Sequence, residues 1–285
     1  MPWPPIVVGV DQSTAGVHAA ETGAMLADLM SAPCTLVHAS RDVWVGAAGG
    51  AGLLDEAAMT EQVVTHSRAS VQRELMGRIP DTLLDTLLVR PGPVVRVLAD
   101  VVMETGAGLL VLGAKRHGAV ARWLGGSTAK NAVRAMHCPV LVSTGARLFE
   151  RVLVAVDLSE MARPALEAAQ AWAGLFNAKL RVLHAVEPLL VATEGMPLVD
   201  VGIFDAEAER AFDRIVWPQV SYPGAERSVR RGSALGSIEA EAEAWKPDLI
   251  VVGAHGRGRA ERVFLGSVSE GIVNALPASV LVVRT

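Results

Sequence analysis

One pattern occurs twice in this 285-residue chain, and that repetition limits what it can fold into more than any single motif. Ile6-Val-Val-Gly-Val-Asp11-Gln-Ser13 returns as Val152-Leu-Val-Ala-Val-Asp157-Leu-Ser159, and Leu36-Val-His38-Ala39 returns as Val182-Leu-His184-Ala185, both at an offset of 146. Val89-Arg-Pro-Gly92 matches Val229-Arg-Arg-Gly232 and Leu109-Leu-Val-Leu-Gly113 matches Leu249-Ile-Val-Val-Gly253, now at an offset of 140. Gly126-Ser127 against Gly266-Ser267 and Val140-Leu-Val against Val280-Leu-Val keep the second offset. One net indel of six residues therefore lies between roughly 40 and 90. A unit of about 140 residues written end to end folds as tandem domains. The join falls near Ser143 to Glu150, giving domains 1–146 and 147–285.

Within each unit short apolar runs alternate with helical patterns. In the second unit strands are expected at Val152–Val156, Leu180–Ala185, around Ser228–Arg230, Leu249–Val252 and Val280–Val283. Its first helix should start just after Ser159, a good N-cap, with Pro164 near the first turn, and run through Trp172. Asp205–Val216, Leu235–Trp245 and Ser267–Ala275 follow. The first unit repeats this with helices near Ala15–Met30, Glu56–Gly77, Pro93–Glu104 and Ser127–Met136, while Gly46–Gly52 and Leu189–Phe204 read as variable loops. Five strands joined by four crossovers of helical length make a parallel, doubly wound sheet. The expected class is α/β, two tandem doubly wound five-stranded parallel-sheet domains. Half the chain is apolar but only 4% is aromatic, so Ala, Val and Leu must fill a core of helices packed on sheet. Ligands on such sheets sit beyond the carboxyl ends of the strands, at the switch point.

That end carries a glycine-rich stretch. Asp248-Leu-Ile-Val-Val leads into Gly253-Ala254-His255-Gly256-Arg257-Gly258, closed thirteen residues after Gly253 by Gly266-Ser267-Val268. Ser267-Val-Ser-Glu270 has the spacing of a capping box that opens a helix. Strand, glycine loop and helix start present backbone N–H groups to phosphate. No lysine follows as a P-loop requires, and the Gly-x-Gly-x-x-Gly of a dinucleotide fold is absent. Taken alone, the loop is also compatible with a plain tight turn.

Val-Asp-x-Ser after the first strand, His-Ala ending the second, Gly-x-x-Gly, nine residues, Gly-Ser, and a short apolar last strand resemble a universal stress protein domain. The resemblance covers nearly the whole chain, twice, as in tandem members of that family. It implies an adenine nucleotide alpha hydrolase-like, Rossmann-like fold holding ATP with Mg²⁺, hydrolysed slowly at most. The protein would then be a regulatory module in stress response or growth control. The resemblance places an adenine-contacting carboxylate at Asp157 and, by repetition, at Asp11. Gly9 and Ala155 would be small to let the ligand approach, and Ala39 and Ala185 would offer main-chain contacts to the base. Gly253, Ala254, His255, Gly256, Arg257, Gly266, Ser267 and Val268 fall on phosphate- and ribose-binding positions. Their counterparts are Gly113, Ala114, Lys115, Arg116, Gly126, Ser127 and Thr128, with Arg116 where the second loop has Gly256.

Read from the residues alone, Asp11 and Asp157 could instead cap the helix that follows. His38 and His184 fit buried, hydrogen-bonded strand histidines better than proton carriers. His66, His117, His137 and His255 lack metal-ligand spacing, so no metal site and no catalytic set is expected. The net charge of −4 gives no reason to expect nucleic acid. No apolar run reaches the ~18 residues of a membrane helix, and the start lacks the pattern of a signal peptide. Cys34 and Cys138 read as reduced and buried, in keeping with the cytoplasm. The last strands, Val140–Val142 and Val280–Val283, are edges expected to pair the two halves with each other, and whole chains are expected to form a homodimer. Two rivals stand beside this reading. One is a nucleotide-dependent enzyme on the same scaffold, which needs a catalytic residue unmatched in the other half; the other is a scaffold that binds no nucleotide.

Overall fold

The apolar runs become parallel strands. A computed structural model describes residues 4–40, 56–114, 127–145, 147–187, 201–254 and 265–284, in two units, Met1–Ala146 and Arg147–Thr285. The first unit holds β1 (Ile6–Gly9), β2 (Cys34–Ser40), β3 (Leu88–Pro91), β4 (Leu109–Gly113) and β5 (Val140–Ser143), in the order β3-β2-β1-β4-β5. The second holds β6 (Arg151–Ala155), β7 (Lys179–Val186), β8 (Glu226–Arg231), β9 (Leu249–Gly253) and β10 (Ser279–Val283), in the order β8-β7-β6-β9-β10. Pairing within each is parallel. The connecting helices are α1 (Thr14–Met30), α2 (Glu56–Leu75), a short α3 (Asp81–Leu84), α4 (Val94–Thr105) and α5 (Ser127–Ala135), then α6 (Arg163–Phe176), α7 (Val201–Ile215), α8 (Ala234–Trp245) and α9 (Ser267–Ala275). This is the expected doubly wound α/β arrangement. The chain runs outward from β1 through β2 to β3, then crosses to β4 and β5. The switch point therefore lies between β1 and β4, and in the second unit between β6 and β9.

Strands covered on both faces read as continuous apolar runs, and Val7, Val8, Leu110, Val111, Val154, Ile250 and Val251 are all fully buried. In the first unit β3 stands at one end of the strand order and in the second β8 does, and both are blunted against further pairing. Pro91 closes β3, and β8 reads Glu-Arg-Ser-Val-Arg-Arg.

The two units reach the same geometry by compensating substitutions. At the floor of the switch point Gly9 pairs in register with Leu112, and Ala155 with Val252. A Cβ on Gly9 would lie 2.6 Å from Leu112 Cδ2 and 3.3 Å from Leu98 Cδ2. The second unit gains that methyl at Ala155 and gives one up at Val252. Below the sheet, Asp248 Oδ2 accepts from the N–H groups of Glu150 and Arg151, each at 3.1 Å. The matching stretch of the first unit is Pro4-Pro5, which has no N–H to satisfy, and Asp248 is there replaced by Gly108, whose absent side chain makes room for the Pro4 ring.

The same comparison isolates an ionic cluster in the second unit. Glu241 on α8 is 2% exposed. Its carboxylate accepts from Arg230, from Arg181 at 2.5 Å and from Ser228 at 3.1 Å. Arg181 also pairs with Glu226 and lies 4.5 Å from the Trp245 ring centroid. Burial pushes the Glu241 carboxyl up, but the bonds from Arg230, Arg181 and Ser228 more than offset it, and the group stays below the usual carboxylate range. The first unit has buried Val101 at the position of Glu241.

Three expectations are corrected. Ser159 does not cap the first helix of its unit: residues Glu160–Ala162 form a 3₁₀ turn without a side-chain cap, and α6 begins at Arg163 with Pro164 behind it. In the first unit Ser13 does cap α1, accepting from Gly16 N–H at 3.2 Å. The reason is steric. A Cβ at position 16 would sit 2.4 Å from the Asp11 carbonyl oxygen, and the second unit has Ala162 there, so its first turn cannot close as tightly. Next, α7 starts at Val201 rather than Asp205, in a stretch read as loop; Gly202 weakens the helical pattern of the sequence in that first turn without preventing the turn from forming. Finally, Ser267 is not an N-cap. Gly266 holds that position with no side-chain cap, and Ser267 is the first helical residue.

Among the described residues no helix is long and apolar enough to cross a membrane. Cys138 is buried and Cys34 half-buried, with burial pushing the Cys34 thiol up to about 12. That leaves it un-ionised and inert near neutrality.

Candidate functional site

Both switch points are built from the same parts. Val10 N–H donates to the Val37 carbonyl at 2.9 Å, and the Val10 carbonyl accepts from His38 Nδ1–H at 2.8 Å. In the second unit Val156 donates to Leu183 at 2.9 Å and accepts from His184 Nδ1–H at 3.0 Å. The repeated histidines thus tie the end of the second strand to the residue before each aspartate. His184 is buried, 6% exposed, and stacks on Phe212 at 5.9 Å. This is the strand histidine the sequence suggested.

The aspartates stand just beyond. Asp11 Oδ1 accepts from Ser13 N–H at 2.9 Å and Ser13 Oγ–H at 2.5 Å. Asp157 Oδ1 does the same with Ser159, at 3.0 and 2.5 Å. One carboxylate oxygen is therefore committed to the turn that starts the following helix, a local side-chain-to-backbone bond typical of aspartate. Register pairs Gly9 with Val37 and Ala155 with Leu183. Two residues further, Asp11 stands level with Ala39 and Asp157 with Ala185, so each aspartate and alanine share one rim.

Across the switch point lie the strand ends that feed the glycine loops. Gly113 ends β4, and a Cβ there would fall 1.7 Å from the Ala15 carbonyl oxygen. Only glycine lets α1 start so close to this strand. Ala114 N–H donates to the Ser143 carbonyl at 2.9 Å, and Ala254 N–H to Val283 at 2.7 Å. The Ala254 carbonyl accepts from Gly266 N–H at 2.8 Å, bringing the two ends of the second loop together. From there Gly266 caps α9, with exposed Ser267 and half-buried Val268 in its first turn. Ser127 opens α5, followed by exposed Thr128. Lys115, Arg116, Gly126, His255, Gly256 and Arg257 lie outside the described residues.

The chemistry of this arrangement is legible. A helix of nine residues without a side-chain cap directs its first N–H groups, at the positive end of its dipole, toward the switch point. An aspartate rim on the neighbouring strand can accept from an amine or hydroxyl. Anion at one end and hydrogen-bond donor at the other are the two ends of a nucleotide.

The relatives of the chain agree with its repeat. The family model described as Universal stress protein family matches residues 2–143 and again 148–284. The chain belongs to the universal stress protein family. A universal stress protein of Mycobacterium tuberculosis is 31% identical over 296 residues, covering 98% of this chain and 96% of the relative. One from Mycolicibacterium smegmatis is 29% identical over 290 residues with the same coverage. Among solved structures, a universal stress protein from Archaeoglobus fulgidus matches with a TM-score of 0.68 at 17% identity, covering 98% of each chain, a likeness of fold.

The structure brings Gly9, Asp11, Ala39, Gly113 and Ala114 to one switch point. Ala155, Asp157, Ala185, Gly253, Ala254, Gly266, Ser267 and Val268 gather at the other. It also gives Gly9 a packing reason that the sequence reading lacked. Sequence reasoning missed Ser269, whose hydroxyl donates to the Gly253 carbonyl at 2.5 Å. The available signal was a mismatch in the repeat, Ser269 against Ala129. Among the described residues no group of three His, Cys, Asp or Glu side chains is placed to hold a metal ion.

Proposed function

We propose that each unit binds ATP at its switch point and that the protein is a regulatory nucleotide-binding module rather than an efficient enzyme. The observation that carries this reading is the α9 N-terminus: it lacks a side-chain cap, follows a glycine-rich loop, and faces the strand end that bears Asp157. The helix N–H groups hold phosphate. Asp157 accepts from the adenine amine or a ribose hydroxyl. Mg²⁺ would arrive with the nucleotide and offset the charge of its phosphates. Hydrolysis, where it occurs, is slow, and occupancy alters the surface that partners meet. The second site is the tighter of the two, since Arg116 stands where the second loop has Gly256. The proposal extends to pairing of whole chains as a homodimer. Mass spectrometry of small molecules released by denaturing freshly purified protein tests the ligand. ATP or ADP is expected, and a different cofactor in stoichiometric amount would replace this reading.

A further inference from the structure

We propose that Ser269 is a positioning residue of the second site, holding the start of the glycine-rich loop against the helix that follows it. The inference rests on the ATP-binding reading and deepens it, because it makes the two sites unequal by one hydroxyl group.

Ser269 is the third residue of α9 and 4% exposed. A serine in the first turn of a helix usually turns its hydroxyl back on its own backbone. Here it reaches across to the last residue of β9, donating to the Gly253 carbonyl at 2.5 Å over a sequence separation of 16. Gly266 N–H makes the neighbouring bond to the Ala254 carbonyl at 2.8 Å. Two adjacent peptide oxygens at the strand end are thus engaged, one by a hydroxyl and one by an amide, and the base of the loop is closed by both.

This arrangement has two consequences for an anion at α9. The ends of the loop are already ordered, so less conformational freedom is lost when phosphate is captured. The Gly253 carbonyl oxygen, a partial negative charge beside the anion, is also neutralised by the hydroxyl proton. Because Ser269 points across to the strand, it leaves the helix N–H groups to the ligand. In the first unit the same position is buried Ala129, which has no hydroxyl to donate to Gly113.

The test is calorimetric titration of ATP and of adenosine into the full-length chain. The Ser269 variants and their reference protein carry Thr128→Glu, which places a carboxylate at the start of α5 and excludes phosphate from the first unit. Ser269→Ala is expected to weaken ATP binding about threefold to tenfold, which is about 0.7 to 1.4 kcal/mol, and to leave adenosine binding unchanged. Ser269→Thr keeps the hydroxyl and restores ATP affinity to within about twofold. Without the Thr128→Glu change, Ala129→Ser strengthens the weaker of the two ATP-binding steps. An unchanged ATP affinity in Ser269→Ala, an equal loss for ATP and adenosine, or no recovery with threonine each overturns the assignment. If the chain with Ser269 intact binds neither ATP nor adenosine, the ATP-binding reading falls, and this inference falls with it.

Discussion

Gly9→Ala is the substitution that best separates two reasons for a small residue beneath the site. The added Cβ would lie 2.6 Å from Leu112 Cδ2 and 3.3 and 3.6 Å from the Leu98 methyls. Leu112 is 5% and Leu98 1% exposed, so neither has open space to retreat into. Overpacking of this kind costs about 1–3 kcal/mol. Leu112→Val alone removes one methylene from a filled core and costs about 1 kcal/mol. The double variant copies Ala155 and Val252 of the second unit, where the same exchange is already packed, and is expected to cost under about 1 kcal/mol. The coupling is therefore favourable by about 1–3 kcal/mol, as contacting residues allow. Two-unit chains need not unfold in one step. Stability is best read from hydrogen exchange of β1 and β4 amides across a urea series, which reports the first unit by itself. Additive losses in the double variant would refute the packing argument. So would a Gly9→Ala protein that is fully stable but binds ATP less well, since Gly9 would then be small for the ligand.

Further outcomes follow from the same geometry. Asp157→Ala removes the acceptor of two Ser159 bonds and should cost the second unit about 1–2 kcal/mol of stability, whereas Asp157→Asn keeps a carbonyl oxygen for the turn and should unfold like the parent. The asparagine variant should nonetheless bind ATP about tenfold more weakly; calorimetry finding equal affinity would make Asp157 a turn residue only. Glu241→Gln breaks a buried ionic cluster and should cost about 3 kcal/mol near neutrality, measured by denaturation of the second unit. Because the folded Glu241 carboxyl is held below its unfolded value of about 4.3, its contribution is full above that pH and is lost as pH falls through the folded value. The gap between parent and Glu241→Gln should accordingly be constant from neutrality down to that pH and shrink below it, and a gap that widens in acid would reverse the assignment.

The repeat carried most of the architecture, because two copies of one strand–helix order leave few topologies that obey right-handed crossovers. Asp11 and Asp157, the strand histidines and the glycine-rich strand ends were legible for the same reason, each being seen twice. What stayed hidden depends on contacts across the fold. Whether Ser13 or Ser159 caps its helix turns on the space above the aspartate backbone, which admits Gly16 and crowds Ala162. In the sequence Gly9 reads as a concession to a ligand, whereas in the fold Leu112 leaves no room for a Cβ there. Ser267 and Glu270 have capping-box spacing, yet the cap falls one residue earlier, on Gly266, which has no side chain, and that shift opens the N-terminus on which the site depends. Ser269 carried no motif at all, since a hydroxyl that bonds a carbonyl 16 residues away leaves no local pattern.

Titration of ATP into the intact chain, in parallel with Gly256→Glu, tests the central claim most directly. A carboxylate at that loop position would sit against the phosphates. Saturable binding by the parent protein, with the tighter step lost in Gly256→Glu and the weaker step kept, is the predicted result. A parent protein that takes up no ATP, or a Gly256→Glu protein that binds as tightly as its parent, would contradict it.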